Sequence, residues 1–205
     1  MRVVLVFLVT IFYFWANISI ALEETSYRVI ATNQIYEIRE YDDRLAVQTS
    51  QKNGQNGAFR KLFKYISGSN ISSTKIEMTT PVTQSVKIDM TTPVMQKFRD
   101  GEMIMQFFLP SKFQLKTAPQ PLGEDLSIVV VKGGKYAVKK YSGRSTYNNF
   151  EKHSKLLLEA LFSDNIKTVD NPIKATFNGP LTPFFLRRNE TMVRIESVSY
   201  THLTL

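Results

Sequence analysis

A ten-residue segment that occurs twice is the part of the sequence best suited to ligand binding. Residues 75–84 read KIEMTTPVTQ and residues 87–96 read KIDMTTPVMQ, so eight of ten positions are identical at a spacing of twelve. In an extended strand the isoleucine, methionine and valine of each copy share one face. Because methionine is flexible and polarisable, such a face suits a flat apolar ligand; the alternative is that these side chains fill the core.

The sequence offers little for covalent or metal catalysis. It contains no cysteine and two histidines, His153 and His202, which excludes a thiolate site and argues against a histidine-built metal centre. Glu77 and Asp89 occupy equivalent positions of the two repeats, and paired carboxylates can perform acid–base chemistry. The lysines around them favour surface ion pairs instead. Since no other residues cluster like a nucleophile with its base, we predict that the protein is not an enzyme.

The overall charge favours anionic ligands. Lys and Arg number 26 and Asp and Glu number 18, which gives a formal net charge of +8. The basic residues are scattered along the chain, so nucleic acid is not expected as a partner. With 43% hydrophobic residues, including 14 Phe and 9 Tyr, the 205 residues can bury the core of one domain, which excludes a disordered chain.

The first predicted helix brings apolar and basic side chains together. Its apolar residues recur at helical spacing until Gly68 ends the run: Ala58, Phe59, Leu62, Phe63 and Ile66. The other face carries Arg60, Lys61 and Lys64. Arg60 and Lys64 are four residues apart and therefore share a face of the helix.

The rest of the chain predicts strands and one more helix. Period-two alternation around Asp42-Asp43 predicts a hairpin over residues 34–50, and the pattern from Ile76 to Leu109 predicts strand pieces. After the Pro-rich residues 118–123, a second hairpin joins Leu126–Val131 to Tyr136–Tyr141 around Gly133-Gly134. The remaining elements are a helix from Thr146 to Ser163 with Phe150, Leu157 and Leu161 buried, a strand at Ile173–Phe177, and a final pair of strands, Phe184–Leu186 and Met192–Ile195.

This order of elements predicts an α+β fold. Hairpin, helix and strands are followed by hairpin, helix and strands again, which indicates a pseudo-duplicated chain with two helices packed on one antiparallel sheet or open barrel. Neither half could bury both faces of its strands alone, so we predict a single domain over residues 22–198. Residues 199–205 fit no motif and are expected to be a frayed tail.

The N terminus has the pattern of a secretory signal peptide. Arg2 precedes an apolar run from Val3 to Trp15, and Ser19 and Ala21 are the small residues of a cleavage site, so residues 1–21 are predicted to be removed. The alternative, a signal anchor, needs about 20 apolar residues to span a membrane, and the run is shorter. Secretion would also permit glycosylation at Asn70-Ile71-Ser72 and Asn189-Glu190-Thr191, which have the acceptor pattern. We therefore predict a secreted glycoprotein.

Three separated motifs, in order, resemble the SOUL family of haem-binding proteins. They are the KIxMTTPV repeat followed by MQFFLPS at residues 105–111, the segment NGPLTPFFLRRNE at residues 178–190, and the opening YEIREY at residues 36–41. The resemblance extends from about Tyr27 to Ser197. It implies a distorted antiparallel β-barrel built from two similar halves with two helices. It also implies binding of haem or a related tetrapyrrole in a shallow apolar groove beside the first helix.

The resemblance suggests which residues would bind a porphyrin, an apolar plate with two carboxylates on one edge. Arg60 and Lys64 correspond to the family's groove helix and are expected to meet the propionates, while Phe59, Phe63, Met78 and Met90 would line the plate. The alternatives are a merely solvated basic face, or a groove that binds another amphipathic anion or a protein partner. Some family members are thought to use a histidine before the first helix as an iron ligand. This chain has no histidine before His153, so binding of haem and of iron-free porphyrin alike is expected, without an axial imidazole.

Overall fold

The computed structural model describes residues 22–51, 55–72 and 84–196. The predicted signal peptide, the first repeat up to Thr83 with Glu77 and Met78, and the predicted tail lie outside these residues. The strands are β1 (Glu23–Glu24), β2 (Arg28–Thr32), β3 (Glu37–Tyr41), β4 (Arg44–Gln51), β5 (Asn70–Ile71), β6 (Thr91–Thr92), β7 (Val94–Arg99), β8 (Glu102–Phe108), β9 (Gln120–Pro121), β10 (Ser127–Val131), β11 (Gly134–Tyr141), β12 (Ile173–Thr176) and β13 (Asn189–Arg194). The helices are α1 (Gln55–Ile66) and α2 (Tyr147–Ser163).

Nine of the strands form one curled antiparallel sheet in the order β10-β4-β8-β7-β12-β13-β11-β3-β2. This order is symmetric about its centre. β4, β8 and β7 of the first half correspond to β11, β13 and β12 of the second half, and α1 corresponds to α2. Each helix packs on the outer side of its own half. The predicted α+β fold, a distorted barrel of two similar halves with two helices, is therefore confirmed.

Both predicted hairpins are wrong in their pairing. β3 pairs with β11 rather than β4, and β10 pairs with β4 rather than β11. One register continues through both ladders, from Tyr41 opposite Gly134 to Arg44 opposite Val131. β3 therefore continues into β4, and β10 into β11, as two long bent strands. These two strands pair with each other and pass together from one half of the sheet to the other.

The predicted turn residues form these bends, which is why the local signal was misleading. Asp43 accepts hydrogen bonds from the Gly133 N–H at 2.9 Å and from Lys132 Nζ at 2.7 Å, so the two bends fasten each other. A Cβ atom at position 133 would lie 2.3 Å from the Tyr41 carbonyl oxygen, and only glycine permits this approach.

Two further strand predictions are wrong. Phe184–Leu186 is a single 3-10 turn, in which the Leu186 N–H donates a hydrogen bond to the Pro183 carbonyl at 3.0 Å. β13, the strand that this segment was predicted to accompany, pairs with β11 and β12 instead. Of the stretch predicted as strand from Ile76, the described residues 84–90 are irregular and regular pairing begins at Thr91. Pro183, which precedes the turn, lacks the N–H that a sheet ladder requires. In residues 84–90 the Val86 N–H donates to the Asn70 side chain and the Ile88 N–H donates to the Ile66 carbonyl at the end of α1, so neither is available to a neighbouring strand.

Both helices are confirmed; α2 begins and ends where predicted, whereas α1 ends where predicted but begins at Gln55, three residues before Ala58. Gly68 has φ +121° and follows α1, where Ser67 and Ser69 donate backbone hydrogen bonds to the Phe63 and Lys64 carbonyls. Thr146 caps α2 by accepting a hydrogen bond from the Asn149 N–H at 3.3 Å. The predicted buried residues of α2 are buried: Phe150, Leu157 and Leu161. Within the described residues no helix has the length and hydropathy of a transmembrane span.

The core has three parts. One lies under α1 around Leu62 and Met105, one under α2 around Leu157 and Val193, and one fills the inside of the curled sheet around Met95 and Met192. All three pack against the same nine-stranded sheet, which therefore buries apolar side chains on both of its faces.

Candidate ligand site on the first helix

The packing of α1 fixes which side chains face outward. Ala58, Leu62 and Tyr65 are fully buried against the sheet, and the Tyr65 hydroxyl donates a hydrogen bond to the Pro119 carbonyl at 2.7 Å. This contact ties the helix to the Pro-rich connection. The opposite side of α1 is therefore presented in one fixed orientation.

Phe59 and Phe63 form an apolar strip on the exposed side of α1. Their exposed fractions are 39% and 47%, and their rings are nearly parallel, at 13°, with centroids 6.0 Å apart. Phe59 also contacts the buried ring of Phe107 on β8 edge-on at 5.3 Å. The strip is thus supported from below and open above, an arrangement suited to a flat apolar ligand.

Two cations beside this strip are uncommitted. Arg60 and Lys64 are exposed, and within the described part of the chain neither has a carboxylate partner within ion-pairing distance. Lys61, by contrast, donates a hydrogen bond to Asp125 at 2.6 Å. The structure therefore separates three basic residues that looked alike in sequence: Lys61 is paired within the fold, whereas Arg60 and Lys64 are available for a ligand carboxylate.

The second repeat contributes mainly core. Ile88, Val94 and Met95 are 2%, 8% and 3% exposed, as the core alternative required. Met90 is half-buried and packs against the cluster under α1, so it is the described repeat methionine that reaches the neighbourhood of this helix. Met78 lies outside the described residues, and its predicted role stays a prediction.

Of the two acidic residues at equivalent positions of the repeats, Glu77 and Asp89, only Asp89 is described. Its contact supports the interpretation as a surface ion pair. Asp89 is exposed and lies 3.8 Å from Lys112 Nζ, a typical surface ion pair. Among residues 22–51, 55–72 and 84–196, no group of three or more His, Asp or Glu side chains could hold a metal ion.

His153 has a structural environment on α2. Its ring stacks on Tyr141, with centroids 4.2 Å apart and an angle of 14°, and burial lowers the pKa of the imidazole. It is a half-buried helix residue on the other half of the sheet from α1. An imidazole ligand for iron at the α1 site is therefore not among the described residues.

The structure also reveals features that the sequence analysis missed. Asp125, which neutralises Lys61, and Phe107, which supports Phe59, are far from α1 in sequence and give no local signal of these contacts. An apolar cavity of about 590 Å³ lies beside α2, lined by Phe98, Tyr147, Phe150, Leu158 and Pro172 among others. Its residues come from strand, helix and loop, so no periodicity could have predicted it.

Comparisons with known proteins agree with this architecture. A family model described as SOUL heme-binding protein matches residues 22–194. No curated protein matches the chain significantly.

Several solved structures share the fold. A hydrolase from Listeria innocua is 8% identical with a TM-score of 0.53, covering 82% of this chain and 94% of that one. An uncharacterised conserved protein from the same organism is 9% identical with a TM-score of 0.54, covering 81% and 94%. The C-terminal domain of EcmrR is 10% identical with a TM-score of 0.52, covering 84% and 99%. At these identities the likeness concerns the fold alone.

Proposed function

Because the chain belongs to the SOUL heme-binding protein family, we propose that it binds haem or a related tetrapyrrole non-covalently on the outer side of α1. The observation that carries this proposal is the combination of a half-exposed aromatic strip, Phe59 and Phe63, with two uncommitted cations, Arg60 and Lys64. We further propose that the protein carries or buffers its ligand rather than transforming it.

The chemistry of the site fits a porphyrin in two respects. The strip offers the apolar contact that the ring system requires, and Met90 extends it toward the sheet. Arg60 and Lys64 lie one helical turn apart, the right spacing for two carboxylates on one edge of a plate. The porphyrin carboxylates would pair with Arg60 and Lys64 in the way that the Asp125 carboxylate pairs with Lys61.

The site fits the iron less well than the ring. His153, the described histidine, stacks on Tyr141 beneath α2. We therefore propose that affinity comes from the ring and the propionates, and that haemin and iron-free protoporphyrin bind with similar strength. Iron in a bound haem would supply redox and ligand-binding chemistry.

We also propose that the protein acts outside the cell after removal of residues 1–21. Glycosylation has no support from the fold: Asn70 and Asn189 are 1% and 0% exposed. The Asn70 side chain donates to the Tyr65 and Val86 carbonyls, each at 2.7 Å, and Asn189 donates to the Gly143 carbonyl at 3.0 Å. A glycan on either nitrogen would replace a buried hydrogen bond.

Titration with haemin and, in parallel, iron-free protoporphyrin IX tests the proposed site. The parent chain should bind both, with a Soret shift for haemin. Arg60→Glu with Lys64→Glu should weaken both by about tenfold or more, because two attractive charges become repulsive. The matched control is Lys152→Glu with Lys155→Glu, the same charge change on exposed residues of α2, which should leave affinity nearly unchanged.

Three outcomes would contradict the proposal. Equal affinity in the α1 double variant and the parent would remove Arg60 and Lys64 from the site. Binding of haemin alone with a six-coordinate spectrum would show an axial ligand. No binding of either porphyrin would leave another amphipathic anion, such as a lipid or bile pigment, as the ligand of the same fold.

A further inference from the structure

Four exposed large apolar side chains lie close together in one connection of the described chain. Leu181, Phe184, Phe185 and Leu186 are 97%, 50%, 63% and 66% exposed. They belong to residues 178–188, the connection between β12 and β13. With the neighbouring residues 142–146, which lead into α2, this connection forms what we call the loop tip. Four large apolar side chains so near one another are costly in water unless something covers them.

Hydrogen bonds to backbone carbonyls hold the loop tip in shape. The Gly143 N–H donates a hydrogen bond to the Phe184 carbonyl at 3.0 Å, which joins the two segments. The Arg187 guanidinium donates to the Thr182 and Pro180 carbonyls at 2.7 and 2.6 Å. These bonds satisfy the polar groups of the turn internally, so its apolar side chains project outward from a fixed base.

Cations surround these apolar side chains. Arg144 is exposed, and its guanidinium lies 5.6 Å from the centre of the Phe184 ring. A cavity of about 520 Å³ between the two segments is lined by Arg144 and Arg187 with the hydroxyls of Ser145, Thr146 and Thr182, and none of its lining residues is acidic. Neither Arg144 nor Arg187 has a carboxylate partner among the described residues.

Arg188, the residue after Arg187, shows that the absence of acidic partners is specific to the loop tip. Arg188 points the other way, donates to Glu24 at 2.9 and 3.0 Å, and contacts Glu190 at 2.8 Å. Its guanidinium also covers the Phe177 ring at 3.8 Å. One of three neighbouring arginines is thus neutralised within the fold, while the two at the tip are left for an external anion.

We propose that the loop tip docks on membranes that contain anionic phospholipid. The four apolar side chains would enter the interface, and Arg144 and Arg187 would meet lipid phosphates at the level of the hydroxyl-lined cavity. A basic rim beside apolar side chains is the combination that binds anionic membrane surfaces, and the net positive charge, +8 for the full chain and +7 without residues 1–21, adds long-range attraction. This inference is independent of porphyrin binding, because it uses neither α1 nor its side chains.

The absence of cysteine permits a site-specific test on the full chain. Phe185→Cys labelled with the fluorophore NBD reports on the tip, and Phe162→Cys, at a position 85% exposed at the end of α2, is the matched control. Each is mixed with vesicles of phosphatidylcholine alone or with 30% phosphatidylglycerol. With the anionic vesicles, the label at 185 should brighten and shift to the blue, and the label at 162 should not.

The role of the cations is tested in the same labelled background. Arg144→Glu should raise the lipid concentration at which the label at 185 responds half-maximally by about thirtyfold, since the charge reversal removes an attraction of about 1 kcal/mol and adds a repulsion of similar size. Arg99→Glu, the same charge change on β7 with a side chain 72% exposed, should have little effect. An unchanged signal at 185, or an equal change at 185 and 162, would overturn the proposal. These measurements contain no porphyrin, so their failure would leave the proposed function untouched.

Discussion

Glu37, at the start of β3, lies between two cations. It accepts hydrogen bonds from Arg39 Nε and Lys140 Nζ, each at 2.8 Å. Arg39 is itself fully buried and donates to both carboxylate oxygens of Glu190, at 2.9 and 3.2 Å. Burial opposes the charge on Arg39, yet the hydrogen bonds and the attraction of Glu190 outweigh it and raise the pKa of the guanidinium. The ions of this cluster therefore depend on one another.

The cluster predicts a loss of stability in acid. Partial burial works against the Glu37 carboxylate, but hydrogen bonds from Lys140 and Arg39 lower its pKa below the ordinary value of 4.5. A lowered pKa means that the unfolded chain binds the proton more readily, so this contribution is present above the ordinary value and is lost as pH falls toward the folded pKa. Glu37→Gln should therefore flatten the dependence of the free energy of unfolding on pH between about pH 5 and pH 3.

Urea unfolding at a series of pH values measures this slope. Glu151→Gln is the control, because it removes an exposed carboxylate on α2 and leaves the Glu37 cluster intact. Identical slopes for the parent and Glu37→Gln would show that the two hydrogen bonds do not favour the charged carboxylate.

At the scale of elements, the sequence predicted local structure better than pairing. Helical spacing, Gly68 and Thr146 are local signals, and both helices begin and end close to the predicted residues. The residues Asp42-Asp43 and Gly133-Gly134 have turn chemistry, but whether such a turn reverses a strand or only bends it depends on a partner far along the chain. Here the partner of each bend is the other bend, about 90 residues away. Local patterns contain no information about that contact.

The paired bends predict an unusually sensitive glycine. Gly133→Ala should destabilise the fold by about 2 kcal/mol or more, because the added Cβ meets backbone atoms, which cannot rotate away. Those atoms are the Tyr41 carbonyl oxygen at 2.3 Å and the Asp42 carbonyl carbon at 2.6 Å. Gly179→Ala is the matched control, since nothing lies within 4 Å of a Cβ there. The measurement is urea unfolding of both variants. Equal stabilities would mean that the backbone at Gly133 does not approach the Tyr41 and Asp42 backbone this closely.

At the scale of the whole molecule, the two halves share a fold but differ in surface chemistry. On α1 the half-exposed Phe59 and Phe63 lie beside Arg60 and Lys64. At the corresponding place in the second half, Glu151 and Glu159 border the apolar cavity beside α2. The lysine among the residues that line this cavity, Lys155, lies 3.9 Å from Glu159 and is already paired. A porphyrin carboxylate would therefore meet unpaired cations at the first helix and none in the cavity beside the second. The family resemblance predicted the first helix as the site, and the positions of these carboxylates give a physical reason for the difference.

This asymmetry predicts one porphyrin per chain and a defined gain in stability. Protoporphyrin IX at a free concentration 100 times its Kd should raise the free energy of unfolding by about 2.7 kcal/mol, because it binds the folded state alone. At that same concentration Arg60→Glu with Lys64→Glu, with at least tenfold weaker binding, should gain about 1.4 kcal/mol or less, whereas Lys152→Glu with Lys155→Glu should match the parent chain. Thermal unfolding with and without ligand measures the gain, and an absorbance titration at high protein concentration measures the stoichiometry. Two porphyrins per chain, or equal stabilisation of the α1 double variant, would show that the second helix also offers a site and that the cations of the first do not determine binding.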